Sequence, residues 1–326
     1  MTFLRKHSRT ATLIAFLALA LVITRAQGEF NPYYFQIVMY AGINIILASS
    51  LNIINGFAGQ FSLGHAGFMS VGAYAAAWLT TSFGLTPDSP FASVGLAAAL
   101  LLGGVIAAVF GLLVGIPSLR LKGDYLAIVT LGFGEIIRVI IQNLDFLGGA
   151  RGLSDIPKVA NFFWVFAVVG VCLYLTGNLM KSSYGKGFLA VCDDEIAAAA
   201  MGIDTTRYKV IAFVTGAFFA GVAGGLYGHF VTYINPSQFG FVKSIEIVVM
   251  VIVGGMANIP GVVAAATLLT VLPEALRPIA EYRMVIYSLL LVVMMILRPQ
   301  GIFFSVATIR RWFKRGPAHP AHRELS

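Results

Sequence analysis

The sequence predicts an all-α fold, a polytopic bundle of transmembrane helices, and two observations lead to this prediction. Only 11% of the 326 residues are Asp, Glu, Lys or Arg, whereas a soluble domain carries about 25% because it has a hydrated surface to cover. Apolar runs also repeatedly reach the length of about 20 residues that a bilayer-spanning helix needs. The 35 glycines are also typical of a membrane protein, because glycine lets helices pack closely in lipid.

The net charge of +8 follows membrane topology rather than a nucleic-acid partner. Basic residues concentrate at the two ends, as the positive-inside rule requires of cytoplasmic segments. They are Arg5, Lys6 and Arg9 at the start and Arg310, Arg311, Lys314, Arg315 and Arg323 at the end. We therefore expect both termini in the cytoplasm, with 309–326 as a basic tail. The basic start and its apolar run resemble a signal peptide, but Arg25 stands where cleavage needs small residues, which favours an uncleaved first helix.

Hydropathy and the charge rule together predict about ten crossings within a single domain, residues 1–326. The predicted segments are 11–26, 34–55, 59–83, 91–116, 124–143, 162–180, 210–231, 245–256, 262–276 and 284–297. The eighth and ninth are short, so either is a candidate re-entrant or broken helix. The stretch NGFAGQFSLGHAGF loosely resembles FAGVAGGLYGHF in the seventh, which is compatible with an inverted repeat of crossings two to five in seven to ten.

Small residues recur at every fourth position on the fourth and seventh crossings. They include Gly103, Ala107, Gly111 and Gly115 on the fourth, and Ala217, Gly221 and Gly225 on the seventh, beside a second row of Gly216, Ala220, Gly224 and Gly228. Such rows let helix backbones meet in lipid, where no hydrophobic effect drives helices together. We interpret them as packing surfaces rather than substrate contacts.

The densest polar cluster at predicted membrane depth follows the second crossing. It comprises Asn52, Asn55, Gln60, Ser62 and His65, interleaved with Gly56, Gly59, Gly64 and Gly67. Polar side chains are costly in hydrocarbon and face a bundle interior or a water-filled path, and the glycines favour an interrupted helix. Two interpretations stay open, a translocation pathway or hydrogen bonding that holds the bundle. His65 has no second ligand at metal-site spacing, so no metal is expected.

Charged residues inside the predicted crossings are few. Glu135 and Arg138 are three residues apart on the fifth crossing, and Lys243 and Glu246 are three apart at the start of the eighth. Each couple can pair on one helical face, which makes its presence in a membrane tolerable. A proton-coupled carrier needs an unpaired buried carboxylate, and this pattern disfavours one.

Two short motifs partly match enzyme signatures, but each lacks a required residue. Ser62 lacks the preceding glycine of a nucleophile elbow. Gly185-Lys186 has Met180 where a phosphate-binding loop requires glycine and Gly187 where it requires Ser or Thr. We expect no enzymatic activity and no cofactor bound by this chain.

The longest internal polar stretch, 181–209, carries basic residues that place it in the cytoplasm. Within it, acidic residues precede IAAAAM and Gly202 follows, a pattern typical of a short helix. A solvated linker and a docking element for a cytoplasmic partner both fit, and the strong helix-forming composition favours docking.

Several blocks carry a resemblance to a known family. They are NIINGFAGQFSLGHAGFMSVGAYAA, LRLKGDYLAIVTLGFGEIIR, GGARGLSDIP, DDEIAAAAMGIDTTRYKVIAF, SIEIVVMVIVGGMANIPG and LRPQGIF. In order, and over nearly the whole chain, they resemble the inner-membrane permeases of branched-chain amino acid ABC importers. GDYLAIVTLGFGEIIR and GGARGL are similar to the M-type subunit of the permease pair. The turn Ala257–Gly261 differs from the one expected after GGM.

The resemblance implies a bacterial inner-membrane complex of two permeases, two cytoplasmic ATPases that bind ATP-Mg, and a periplasmic binding protein. It also implies that the segment from Asp193 to Asp204 is a coupling helix seated in an ATPase groove. The coupling residues would be Asp193, Asp194, Glu195, Ala198, Met201 and Gly202. Alternatives are a permease for urea or short amides, an ion-coupled secondary transporter and, third, an integral-membrane enzyme.

Overall fold

The computed structural model describes residues 2–25, 31–87, 89, 91–118, 121, 123–277, 288, 289 and 292, with the backbone alone at 2–12, 15 and 118. Its α-helices are α1 Thr2–Arg25, α2 Pro32–Asn52, α3 His65–Ser82, α4 Ala92–Ser118, α5 Asp124–Gln142, α6 Phe162–Lys181, α7 Ser183–Asp193, α8 Glu195–Ala200, α9 Thr205–Val231, α10 Phe241–Gly254 and α11 Ile259–Ala275. A π-helical turn, Ile53–Phe57, extends α2, and 3-10 turns cover Asp145–Leu147, Gly149–Arg151 and Pro236–Phe239. The prediction of an all-α bundle is confirmed.

Five of the described segments are long and apolar enough to cross a bilayer. They are Pro32–Phe57, Ala92–Pro117, Phe162–Lys181, Thr205–Val231 and Pro236–Gly254. The total of about ten crossings stays a prediction, because all but three residues of the tenth segment, 284–297, lie outside the described residues. The proposed inverted repeat stays a prediction for the same reason, and the tail 309–326 is also outside.

Four predicted crossings differ from their helices by four or more residues at the start. Helix α1 begins at Thr2 rather than 11, and the other three differences have a local reason. The third crossing starts at His65 rather than 59, because Gly59 has a φ of +65° and breaks the helix. The seventh starts at Thr205 rather than 210, since the Asp204 side chain accepts from the Arg207 amide at 3.1 Å and caps α9. The predicted loop 181–209 therefore overlaps the start of α9. The eighth starts at 241 and ends at Gly254, because Gly255 follows with a φ of +88°.

Successive helices place their ends at two opposite ends of the bundle. One of these, here called the α8 end, collects the last turn of α2, helix α7 and the α10–α11 turn. There the Ala257 amide donates to Asn52 Oδ1 at 2.9 Å, and Cys192 Sγ lies 3.8 Å from the Gly56 carbonyl oxygen.

The other end, here called the open end, collects the starts of α2 and α10 and the ends of α9 and α11. Tyr33 donates its hydroxyl to Glu274 at 2.5 Å. Leu153 and Ile234 form an isolated antiparallel bridge, with the Leu153 amide 2.9 Å from the Ile234 oxygen. The first contact joins the start of α2 to the end of α11, and the bridge joins the loops that follow α5 and α9.

The small-residue rows meet in one interface between α3, α4 and α9, here called the glycine seam. It contains Gly72 of α3, the predicted Gly103, Gly111 and Gly115 of α4, and Gly221 and Gly225 of α9. A Cβ added at Gly103 would lie 2.7 Å from the Gly72 oxygen, and one at Gly221 would lie 2.8 Å from the Gly103 oxygen. Distances under 3.0 Å cannot be accommodated against backbone, so the three helices meet main chain to main chain.

Candidate functional site

The predicted polar cluster forms a buried junction at the α8 end, where α2 unwinds and α3 begins. The Asn55 amide brackets Ser62: its Oδ1 accepts from the Ser62 amide at 3.1 Å, and its Nδ2 donates to the Ser62 carbonyl at 3.3 Å. His65 Nε2 lies 2.8 Å from Ser50 Oγ, and the Gln60 amide donates to the Ala58 carbonyl at 3.3 Å. The bonds from Asn55 and Gln60 pair backbone groups of the segment between α2 and α3, which is not helical and cannot pair them itself.

Some polar atoms of this junction are buried without a partner among the residues that the structure describes, and Asn52 Nδ2 and Ser62 Oγ are examples. An unpaired buried polar atom is costly, so a hydrogen bond to water or to a polar ligand would stabilise these atoms. Most groups of the junction thus hydrogen-bond within the bundle, and a translocation pathway through it stays a prediction.

Helix α8 is short, capped and tied to the bundle. Asp194 Oδ1 accepts from the Ile196 and Ala197 amides at 2.9 and 3.0 Å, a standard N-cap arrangement. Glu195 forms an ion pair with Lys209 of α9, with 2.7 Å between Oε1 and Nζ. Only 2% of the Lys209 side chain is exposed, so this pair anchors α8 to the central helix.

The exposed surface of α8 and of the residue that follows it is apolar, and is here called the apolar face of α8. Ile196 is 76% exposed and Met201, the C-cap, is 82% exposed, while Ala198 is buried against its own chain. Gly202 ends the segment with a φ of +83°, and Asp193 is the exposed last residue of α7. Neither Ile196 nor Lys209 was among the predicted site residues. Ile196 is the one large branched residue in an alanine run, which could have indicated it.

The two predicted ion pairs both form, and they line one cleft near the open end. Arg138 Nε lies 2.6 Å from Glu135 Oε2 on α5, and Lys243 Nζ lies 3.1 Å from Glu246 Oε2 on α10. The cleft has a volume of about 510 Å³, within the range of about 300–1,000 Å³ of small-molecule sites. Sequence spacing predicted each pair, but nothing in it predicted that α5 and α10 bring them together.

Hydrogen bonds tie each ion pair to a neighbouring helix. Glu135 Oε1 accepts from the Phe241 amide at 3.0 Å, which joins α5 to the first residue of α10. Lys243 Nζ also donates to Asn44 Oδ1 of α2 at 3.3 Å. Asn44 in turn donates to Thr270 of α11 at 2.9 Å. The charged groups of the cleft are therefore positioned by four helices.

Among the described residues, no group of three or more His, Cys, Asp or Glu side chains is arranged to hold a metal ion. The polar cluster around His65 instead bonds to its own chain. Chemically, the described sites offer a hydrogen-bonding junction, an exposed apolar surface at α8 and a charged cleft.

Comparison with known proteins gives one family. A model described as "Branched-chain amino acid transport system / permease component" matches residues 33–298. A high-affinity branched-chain amino acid transport system permease protein LivM from Salmonella typhimurium is 37% identical, over 80% of this chain and 67% of the relative. LivM from Escherichia coli is 36% identical over the same shares. LivH from Escherichia coli is 24% identical, over 82% of this chain and 95% of the relative. No solved structure matches the chain at a significant level.

Proposed function

The chain belongs to the branched-chain amino acid transport permease family, and from this premise we propose that it is the M-type permease of an ATP-driven branched-chain amino acid importer. The observation that carries the proposal is the identity of 37% and 36% to two LivM proteins, against 24% to LivH over a similar share of the chain. In this role the chain transports and does not catalyse. It forms the pathway with a second permease.

The energy source in this proposal is a pair of cytoplasmic ATPases that hold ATP-Mg. The apolar face of α8, with Ile196 and Met201 exposed, supports a docking role because apolar groups at the centre of an interface carry most of its binding energy. The Glu195–Lys209 ion pair would transmit movement of α8 to α9. Coupling between distant sites requires a contact with two arrangements, and the proposal expects this of the Glu195–Lys209 pair.

This assignment makes the α8 end cytoplasmic and the open end periplasmic. A substrate-binding protein would dock at the open end, and both termini would lie inside the cell. The bilayer is that of the bacterial inner membrane. Substrate would pass from the open end towards the junction that contains Asn52, Asn55, Gln60, Ser62 and His65.

Reconstitution of all subunits into liposomes tests the proposal. With binding protein outside and ATP inside, we expect uptake of leucine that stops when the ATPases carry a hydrolysis-blocking substitution. Urea and acetamide serve as competing substrates, and this chain alone with a proton gradient tests ion coupling. Uptake of urea but not leucine, or uptake by the chain alone, would contradict the proposal.

The same liposomes test α8. Replacement of Ile196 and Met201 by Ser should abolish leucine uptake, because it removes the docking face without touching the Asp194 cap or the Glu195–Lys209 pair. Ala199→Ser, on the exposed part of the same helix, is the matched control. Normal uptake by the double variant would remove α8 as the docking element.

A further inference from the structure

The cleft between α5 and α10, here called the charged cleft, lies too deep for its charges to face lipid. Glu135 stands seven residues before the end of α5 at Gln142, which is about 10 Å along a helix from the loop at the open end. Lys243 contacts Asn44, twelve residues or about 18 Å into α2. Ionisable groups at such depth face a water-filled path, a ligand or a partner subunit, since hydrocarbon does not solvate them.

All four charged side chains of the charged cleft are partly accessible. Arg138 is 26% exposed and Glu135 34%, while Lys243 is 23% exposed and Glu246 42%. This differs from Lys209, whose side chain is only 2% exposed although its partner Glu195 is 30% exposed. A purely structural pair at membrane depth would have its cation sealed in the same way, so the accessible cations indicate a surface that another molecule completes.

The charged cleft is neutral overall and carries an apolar border. Two cations and two anions line it, together with Ser237, Gln238 and Gly240 and the exposed Phe241 and Val242. A ligand that matches this lining has one positive group, one negative group and an apolar remainder. The first turn of α10 adds the favourable field of a helix start for the negative group.

On the basis of the proposed function, we propose that the charged cleft holds the amino acid substrate as a zwitterion during translocation. Arg138 and Lys243 bind the α-carboxylate, and Glu135 and Glu246 bind the α-ammonium group. Phe241 and Val242 contact the branched side chain. Binding exchanges part of each intrachain ion pair for a pair with the ligand, so desolvation of the charges is offset on both sides.

Charge swaps in the reconstituted complex separate this role from a structural one. Glu135→Arg with Arg138→Glu keeps an ion pair on α5 but inverts its polarity relative to α10, as does Lys243→Glu with Glu246→Lys relative to α5. We expect each single swap to lower leucine uptake about tenfold or more, as for loss of a charge-assisted bond. ATPase stimulation by leucine-loaded binding protein should persist. Glu274→Gln, at the same end but outside the cleft, is the control with normal uptake.

A role confined to charge pairing within α5 and within α10 predicts that the swaps work as well as the native pairs. Loss of the bonds to Phe241 and Asn44 is a separate structural effect, which the labelling experiment below does not share. Wild-type uptake by both swapped complexes would therefore overturn the proposal. Failure of the unsubstituted complex to take up leucine would instead overturn the proposed function, so the two failures are distinguishable.

A labelling experiment keeps the test open if a swapped chain does not accumulate. Val242→Cys is made in a Cys192→Ser background, since Cys172 is buried. Leucine-loaded binding protein should slow maleimide labelling of position 242 severalfold relative to ligand-free binding protein. Tyr34→Cys, which is exposed at the same end outside the cleft, should show no difference. Equal labelling of position 242 with and without leucine would overturn the proposal.

Discussion

The glycine seam and the charged cleft lie in the same bundle but differ in how closely their helices pack. In the seam, α3, α4 and α9 meet main chain to main chain, and an added Cβ at Gly72 would overlap the backbone of Gly221. In the cleft, α5 and α10 leave about 510 Å³ between them, lined by partly exposed charges. The seam has no room for another molecule, whereas the cleft has room for a small one. Rigid packing and an adaptable polar opening are thus kept on different helices.

The largest expected effect is the loss of stability caused by one methyl group added in the glycine seam. Gly72→Ala should lower the free energy of unfolding by about 3 kcal/mol, the upper range for overpacking, because the obstacle is backbone that cannot rotate away. Gly132→Ala on α5 is the matched control, since nothing lies within 4 Å of its added Cβ. Its effect should be favourable by about 0.5–1 kcal/mol through helix propensity. Denaturant titration of both variants in detergent measures the difference, and equal stabilities would contradict the seam.

Charge deletion gives the next largest effect and contrasts the cleft with the α8 anchor. Glu195→Gln leaves the Lys209 ammonium group at 2% exposure without its carboxylate, and should destabilise by about 3 kcal/mol. Glu135→Gln leaves Arg138 partly hydrated and should change stability by about 1 kcal/mol or less. Lys209→Met should also be milder than Glu195→Gln, because Glu195 is itself 30% exposed. Equal effects of the two glutamate substitutions would show that the Lys209 pair is not closed to solvent.

The smallest expected effect is on the labelling rate of Cys192, which lies beside Gly56 and Gly59 at the α8 end. Partial burial, and then the neighbouring Asp193 carboxylate, raise the pKa of the Cys192 thiol. Because the thiolate is the reactive form, maleimide labelling at neutral pH should be slower than that of free cysteine and should increase as pH rises. Asp193→Asn lowers this pKa and should speed labelling at fixed pH by less than about tenfold, because burial remains the larger cause of the raised pKa. An unchanged pH profile in this variant would exclude the Asp193 contribution.

Much of the fold could be predicted from local sequence features. The helix α8 follows from its acidic start, alanine run and terminal Gly202, and the two ion pairs follow from a spacing of three residues. The interruption before His65 follows from the glycines around it. Boundaries were harder, because the Asp204 cap and the positive φ at Gly59 act on single residues that hydropathy averages over. Ala257 illustrates the same limit: it has a φ of +61° where glycine is usual.

The sequence by itself determined that this chain is a helical membrane bundle of the branched-chain amino acid permease family. Hydropathy, helical periodicity and motifs are all patterns of residues that are close together along the chain. Only the tertiary structure decided that the pair on α5 and the pair on α10 share one cleft, with Asn44 linking it to α2. It also decided that Glu195 anchors α8 to a buried Lys209. Such contacts depend on which helix faces meet in lipid, where close packing selects the partners and local hydropathy does not distinguish them.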